Sequence, residues 1–230
     1  MIKAIFFDFN GVIIDDESIQ MKAYHEILKE HAIDLTMSDY MECLGMDDGT
    51  FVRAIFQRGN KQLSDELLST ILESKTLKHR SMIEDDVPLF PGVVNFVKAA
   101  AFEVAVNIVS MASRIEVNYV LERAALESLF TVVVTAGDVS ACKPAPDCYR
   151  FALEKFNDKR QVDRLLPLLP RECLAVEDSP PGVQSARQAG MQTLAVTNTV
   201  SESELRAAGA DVVTKSLADW TIDAVRLVYQ

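Results

Sequence analysis

The chain is poor in the residues that would tie it to metal-thiolate, nucleic-acid or membrane chemistry. Its four cysteines, Cys43, Cys142, Cys148 and Cys173, form no Cys-x-x-Cys pair. Its three histidines, His25, His31 and His79, stand at no zinc-binding spacing. The cysteines therefore read as reduced core or surface thiols. No run of Lys and Arg stands out, and the formal net charge is −11. That balance argues against nucleic acid or an anionic membrane surface as a partner. An anionic substrate would have to be met locally, by a few Lys or Arg or by a metal. No apolar run approaches the length needed to span a bilayer, and no basic segment with a cleavable apolar region opens the chain. The expectation is a soluble cytoplasmic protein, a monomer or weak homodimer.

What is present is an ordinary globular composition over 230 residues, 49% hydrophobic and 25% charged, enough for a full core and two domains. The chain is organised around its first stretch. Ile2 to Phe7 is apolar apart from Lys3 and ends in Asp8. Phe9-Asn10-Gly11, a second apolar run and Asp15-Asp16 follow. So apolar a run reads as a strand buried on both faces, as in parallel sheets. Open parallel sheets bind ligands just past the carboxyl ends of their strands. A carboxylate near a core is costly unless paired, hydrogen-bonded or metal-bound, so Asp8 reads as functional.

From Asp15 to about Asp86 there is no strand-like run. Amphipathic helices are expected near Asp16–His31, Ser38–Cys43, Thr50–Arg58 and Ser64 to about Glu84, the last with Ser64 as N-cap. Pro88 and Pro91-Gly92 then turn the chain. Beyond Gly92, strands and helices alternate. Strands are expected at Val104–Val109, Thr131–Val134, Glu172–Val176, Thr193–Val196 and Asp211–Val213. Helices are expected at about Val93–Ala101, Ser113–Leu126, Pro146–Phe156, Pro181–Ala189 and Leu217–Tyr229, with a capping box also at Ser201–Glu204. Asn157–Arg171 reads as a surface excursion. The fold class is α/β: a Rossmann-like, doubly wound parallel sheet with an inserted helical domain. The core is residues 1–15 and 88–230, and the helical domain is 16–87.

Five polar residues then share one sheet edge. Asp8, Ser110, Lys143, Glu177 and Asp178 each follow a strand. Asp8 and Asp178 can hold Mg²⁺, which prefers oxygen ligands, and Glu177 can orient its waters. Asp8 can also attack phosphorus. The Ser110 hydroxyl, the adjacent helix N-terminus and Lys143 can neutralise phosphate oxygens. Met111 is a further phosphate-binding candidate. Arg114, one turn past Ser110, either touches phosphate or is solvated.

This pattern resembles the haloacid dehalogenase superfamily, in its helical-cap phosphatase and β-phosphoglucomutase-like branch. The matching segments are Asp8-Phe9-Asn10-Gly11-Val12 with Asp15 and Glu17, then Ser110, Cys142-Lys143-Pro144, and Glu177-Asp178-Ser179-Pro180-Pro181-Gly182. The resemblance covers essentially the whole chain. It implies a Rossmann-like core with the nucleophile strand central and a cap that closes over the substrate. It also implies Mg²⁺ bound by Asp8, Asp178 and the backbone carbonyl of Asn10. The implied activity is hydrolysis of a small phosphorylated metabolite through an aspartyl phosphate on Asp8.

Three departures stand against that pattern. Asn10 occupies the place of an aspartate that gives a proton to the leaving alkoxide and takes one from water. Such help is worth about 10²–10⁴-fold. Gln20 replaces a histidine of the mutase, and Asp47-Asp48 follow Gly45 where the mutase has a basic cap residue. A sugar-phosphate mutase is disfavoured. So is a dehalogenase, because the acidic metal motif is complete. Asn10 leaves several readings open. They are a leaving group that needs no acid, binding of a phosphorylated ligand without turnover, deamidation of Asn10-Gly11, and a deliberate substitution.

Overall fold

A computed structural model describes all 230 residues. Six strands form one all-parallel sheet: β1 (Ala4–Phe7), β2 (Ala105–Val109), β3 (Phe130–Val134), β4 (Cys173–Glu177), β5 (Gln192–Val196) and β6 (Val212–Thr214). Their order is β3-β2-β1-β4-β5-β6. The chain winds from β1 outward to β3, then returns past β1 to β4 and winds the other way. The strand order thus reverses beside β1, and the crevice at such a reversal is where ligands bind in open α/β sheets.

The continuous apolar run of β1 follows from burial on both faces. Side chains alternate along a strand. Ile5 and Phe7 enter one apolar cluster with Val97, Val120 and Val225. Ala4 and Phe6 enter the opposite cluster with Tyr149, Ala152 and Phe156. Phe7 meets Phe96 edge-on at 6.0 Å between ring centroids, and Phe6 meets Phe156 at 6.2 Å. Helices α5 (Val93–Glu103), α6 (Arg114–Arg123) and α10 (Ile222–Val228) cover the first face. Helices α7 (Asp147–Val162) and α8 (Pro180–Gln188) cover the second. Helix α9 (Glu202–Ala207) packs by β6 and opens with the expected capping box at Ser201 and Glu204.

Between β1 and α5 lie α1 (Glu17–Glu30), α2 (Met37–Met41), α3 (Asp48–Arg58) and α4 (Asp65–Met82). They pack around their own apolar cluster, with Tyr24, Leu28, Phe51, Val52, Ile55 and Ile71. The two chain crossings into and out of this block run side by side. The Asp15 amide donates to the Pro88 carbonyl at 2.7 Å, and the Phe90 amide to the Ile13 carbonyl at 3.2 Å.

Three expected boundaries shift. The terminal helix begins only at Ile222, capped by Thr221, after a separate turn at Leu217–Asp219. Helix α6 stops at Arg123 rather than Leu126, because Ala125 turns into the left-handed region at φ 52°. Helix α7 runs on to Val162, through half of the stretch expected as a surface excursion. Phe156 anchors that helix in the core, and Asn157 stays within it by exchanging hydrogen bonds with the Leu168 backbone. No helix is long and apolar enough to cross a membrane.

Since Phe7 fills the first cluster at full burial, Phe7→Ala should lower unfolding free energy by about 3–5 kcal/mol. Urea denaturation followed by circular dichroism measures this, and a loss under about 1 kcal/mol would mean the site collapses to refill the space.

Candidate active site

The carboxyl ends of β1, β2 and β4 and the loop after β3 bring the expected residues together. The Asp8 amide donates to the Val176 carbonyl at 2.9 Å, which extends the sheet pairing by one residue and fixes the carboxylate at the strand end. Lys143 reaches in from the loop after β3. Its Nζ donates to Asp8 Oδ1 and to Glu177 Oε1, both at 2.7 Å, and to the Val109 carbonyl at 3.3 Å. Burial alone would strip the charge from this lysine, yet Asp8 and Glu177 hold its pKa well above the ordinary value. Glu177 is fully buried at the end of β4, and Tyr149 also donates to its Oε1. Burial pushes the Glu177 carboxyl up to about 7 against the pull of Lys143. Burial, then Asp8 and Glu177, raise that of Asp178.

Acid oxygens of Asp8, Glu177 and Asp178 lie within 4.8 Å of one another. Glu177 Oε2 is buried with no hydrogen-bond partner. Only one cation, Lys143, sits among the three acids, and it is bound to two of them. A hard divalent cation fits this donor set, since it would relieve the crowding of carboxylates and give the orphaned region a charge partner through its waters. The surrounding backbone is shaped to the acids. A Cβ on Gly182 would stand 1.9 Å from Glu177 Oε2, and one on Gly11 would stand 1.9 Å from Asp178 Oδ2. Gly11 also sits at φ 76°, a conformation that favours glycine.

A cavity of about 90 Å³ opens over Asp8. From the sheet side Asp8, Asn10, Met111, Lys143 and Asp178 line it. From the helical block Glu17, Gln20, Tyr24, Tyr40, Asp48 and Lys75 line it. Ser110 follows β2 as expected but is fully buried, with its Oγ accepting from the Ala112 amide at 3.0 Å. Its neighbours Met111 and Ala112 line the cavity, whereas Ser110 does not. Arg114 is not brought to the cavity. It donates to the Val133 carbonyl at 3.0 Å and pairs with Asp138, on a separate cleft at the edge of α6. As a phosphate ligand Arg114 is therefore corrected: Asp138 already holds its guanidinium. Arg53 and Arg58 are likewise spent on Asp65 and Asp39 at the surface.

The decisive group that strand-end logic passes over is Asp16. It is fully buried, and three donors converge on it. Asn10 Nδ2 lies 2.9 Å from Oδ1 and 3.1 Å from Oδ2. Gln20 Nε2 donates to Oδ2 at 2.9 Å, and His79 Nε2 lies 2.7 Å from Oδ2. One turn before His79 on α4, Lys75 joins Asp48 at 3.1 Å to Glu116 of α6 at 2.9 Å. The Lys75–Glu116 pair stitches the helical block to the core. The i, i+4 placement of Lys75 and His79 on the buried face of α4 was the available signal, for two basic residues on an apolar face need buried acids. Thr199 was also legible by the strand-end rule. It follows β5 and donates to Asp178 Oδ2.

Comparison with known proteins places the chain in a family. Residues 5–196 match the family of haloacid dehalogenase-like hydrolases. The chain belongs to that family. Among its relatives is fructose-1-phosphate phosphatase YqaB of Escherichia coli, 28% identical over 84% of this chain and 95% of that protein. SUPPRESSOR OF QUENCHING 1, chloroplastic, of Arabidopsis thaliana is 28% identical over 97% of this chain, which spans only 20% of that longer protein. An Asp-to-Asn variant of CbbY from Rhodobacter sphaeroides, solved in complex with xylulose 1,5-bisphosphate, shares the fold. Its TM-score is 0.79 at 23% identity, covering 95% of this chain and 96% of that one.

Asn10→Asp would set a second carboxylate against Asp16. Two such groups cannot both ionise without cost, so the folded pair binds a proton that the unfolded chain releases at ordinary carboxyl pKa. The variant should therefore match the parent most closely below about pH 4 and lose stability relative to it as pH rises above that carboxyl range. Urea midpoints of both proteins at stepped pH, without metal, check this, and a constant difference across the range would contradict it.

Proposed function

We propose that the chain is a Mg²⁺-dependent phosphohydrolase acting on a small phosphorylated metabolite through an aspartyl phosphate on Asp8. The single observation that carries the reading is the compact set Asp8, Lys143, Glu177 and Asp178 at the switch point of the sheet. A buried, doubly paired lysine beside three crowded acids suits a phosphate dianion and a divalent cation together. Asp8, Asp178, the Asn10 carbonyl and, through water, Glu177 would hold Mg²⁺. When bound, that ion neutralises phosphate charge and lets the substrate approach a carboxylate. The phosphatase relatives support a hydrolase.

The steps left to the chain's own residues are few. Lys143 holds Asp8 Oδ1, so Oδ2 is the oxygen free to attack phosphorus. The new Asp8–phosphorus bond forms as the bond to the leaving oxygen breaks. Lys143 and the Met111 amide meet the charge on the transferred group. Water then attacks the phosphorus, the bond to Asp8 breaks, and inorganic phosphate leaves with Asp8 restored. Asn10 gives no proton to the leaving oxygen. Its amide hydrogens are turned to Asp16, and it has no acidic proton to lend. The departing oxygen takes its proton from water, so the rate is set by how well that oxygen carries charge. The helical block at 16–87 acts as a cap over the core formed by 1–15 and 88–230. The setting this reading assumes is cytoplasmic, with no partner beyond the metabolite and the metal.

A second reading rests on Asn10 itself: a protein that binds a phosphorylated ligand and turns it over weakly. The CbbY variant holds a sugar bisphosphate after an Asp-to-Asn change, which fits such retention.

One assay separates the two. Phosphate release with Mg²⁺ is compared for acetyl phosphate, pyrophosphate and glucose phosphates. Acetyl phosphate should be cleaved about 10²–10⁴-fold faster than glucose phosphates, the span that general acid help covers. Asp8→Ala and EDTA should each abolish release. Similar rates on every substrate would overturn the leaving-group argument. Tight binding with no release from any of them would favour the second reading.

A further inference from the structure

A second space lies beside the cavity over Asp8. It is the cleft between α4 and the start of α6 where Arg114 sits, with a volume of about 750 Å³ against about 90 Å³ for the cavity. Small-molecule sites run to about 300–1,000 Å³. The inner cavity falls below that range and the cleft falls within it. Asp48 and Met111 line both spaces, and a methionine, with three rotatable bonds, is readily moved aside. The cleft also carries apolar surface that the fold does not use. Leu77 of α4 and Ile115 of α6 are 68% and 66% exposed, and both line it together with Leu72. Three charged side chains around them are already engaged: Asp48 by Lys75, Arg114 by Asp138 and Asp47 by Thr50. Exposed apolar surface rimmed by polar residues marks a ligand groove.

We propose that this cleft receives the leaving group and that the substrate is an aryl phosphate, an assignment that rests on the phosphohydrolase reading. The phosphoryl group sits over Asp8, the ester oxygen passes Met111 and Asp48, and the aromatic body lies along Leu72, Leu77 and Ile115. Asn10 gives an independent reason for an aromatic body rather than an aliphatic one. Its side-chain amide is turned to Asp16, and it has no acidic proton for the leaving oxygen. A phenolic oxygen carries negative charge at a pKa of about 10, whereas a water-like hydroxyl needs about 16. The bond from Asp8 Oδ2 to phosphorus forms as the ester bond breaks. The aryl oxygen leaves with the bonding pair, as a phenolate, and water is the source of any proton it takes afterwards. An aliphatic alkoxide leaves far more slowly from the same site.

Phosphate release with Mg²⁺ tests this on four compounds: naphthyl, phenyl, cyclohexyl and acetyl phosphate. Phenyl and cyclohexyl esters match in size, so their ratio reports the leaving oxygen. Phenyl phosphate should exceed cyclohexyl phosphate in kcat by about 10²-fold or more. Naphthyl and phenyl esters share phenolic chemistry, so their ratio reports the cleft. Naphthyl phosphate should show a KM about tenfold lower than phenyl phosphate. The double variant Leu77→Gln with Ile115→Gln, changed only at exposed positions, should cut the naphthyl-to-acetyl ratio of kcat/KM about tenfold, through KM. As a second measurement, calorimetry on Asp8→Asn protein with Mg²⁺ should find naphthyl phosphate bound about tenfold more tightly than methyl phosphate. Equal KM for naphthyl and phenyl phosphate, or an unchanged ratio in the double variant, overturns the inference. Release from acetyl phosphate then leaves the phosphohydrolase reading standing. No release from any of the four overturns both.

Discussion

The structure turns on a lysine buried among acids. Lys143 is the one cation within reach of Asp8 and Glu177, and it bonds both. Without it, the ends of β1 and β4 would carry adjacent buried carboxylates with nothing to offset their charge, a state proteins avoid by neutralising the group. With it, the carboxylates stay where the sheet puts them. The rest of the local design follows. Tyr149, inside the core on α7, spends its hydroxyl on Glu177. Gly11 and Gly182 leave room where a methyl group would collide with an acid. The loop after β3 must come back far enough to deliver Lys143 across the top of β2. The sheet supplies positions, and the lysine makes those positions tolerable for charge.

A second buried charge centre sits one layer further out. Asp16 gathers Asn10 and Gln20 from its own segment and its near neighbour His79 from α4, while Lys75 joins Asp48 to Glu116. The residue that departs from the family pattern is thereby explained locally. An aspartate at position 10 would face Asp16, whereas an asparagine there donates to it. Asn10 and Asp16 read as a matched pair, and the loss of a proton donor comes with the gain of a fixed amide orientation.

Much of this was legible in the sequence because the physics is local. The β1 run is apolar throughout, as burial on both faces requires, and the acids and lysine after strands follow from chain direction in a parallel sheet. Where sequence reasoning fell short, the cause was contact across long separation. Nothing near Arg114 announces that Asp138 will claim it, 24 residues on. Ser110 was placed at the right strand end, but its burial depends on how Met111 and Ala112 turn outward. The role of Asp16 was hidden behind that of Asp15, its exposed neighbour, because adjacent acids look alike until helix α1 fixes which one points inward. His79 is 63 residues from the acid it meets.

The helical block keeps an apolar cluster of its own, and apart from Ile19, Ile83 and Val87, which join the core's cluster, it meets the core through polar pairs, Lys75 and His79 with Glu116 and Asp47 with Cys142. That division has an evolutionary reading. Substitutions on the cavity wall of α1, α3 and α4 need not disturb the packing on either face of the sheet, so substrate choice can drift while the phosphate chemistry is preserved. The cost of that freedom falls on the seam itself. Lys75, His79, Asp16 and Glu116 must change in concert, and a lineage that altered one of them would be expected to carry its mark on the others.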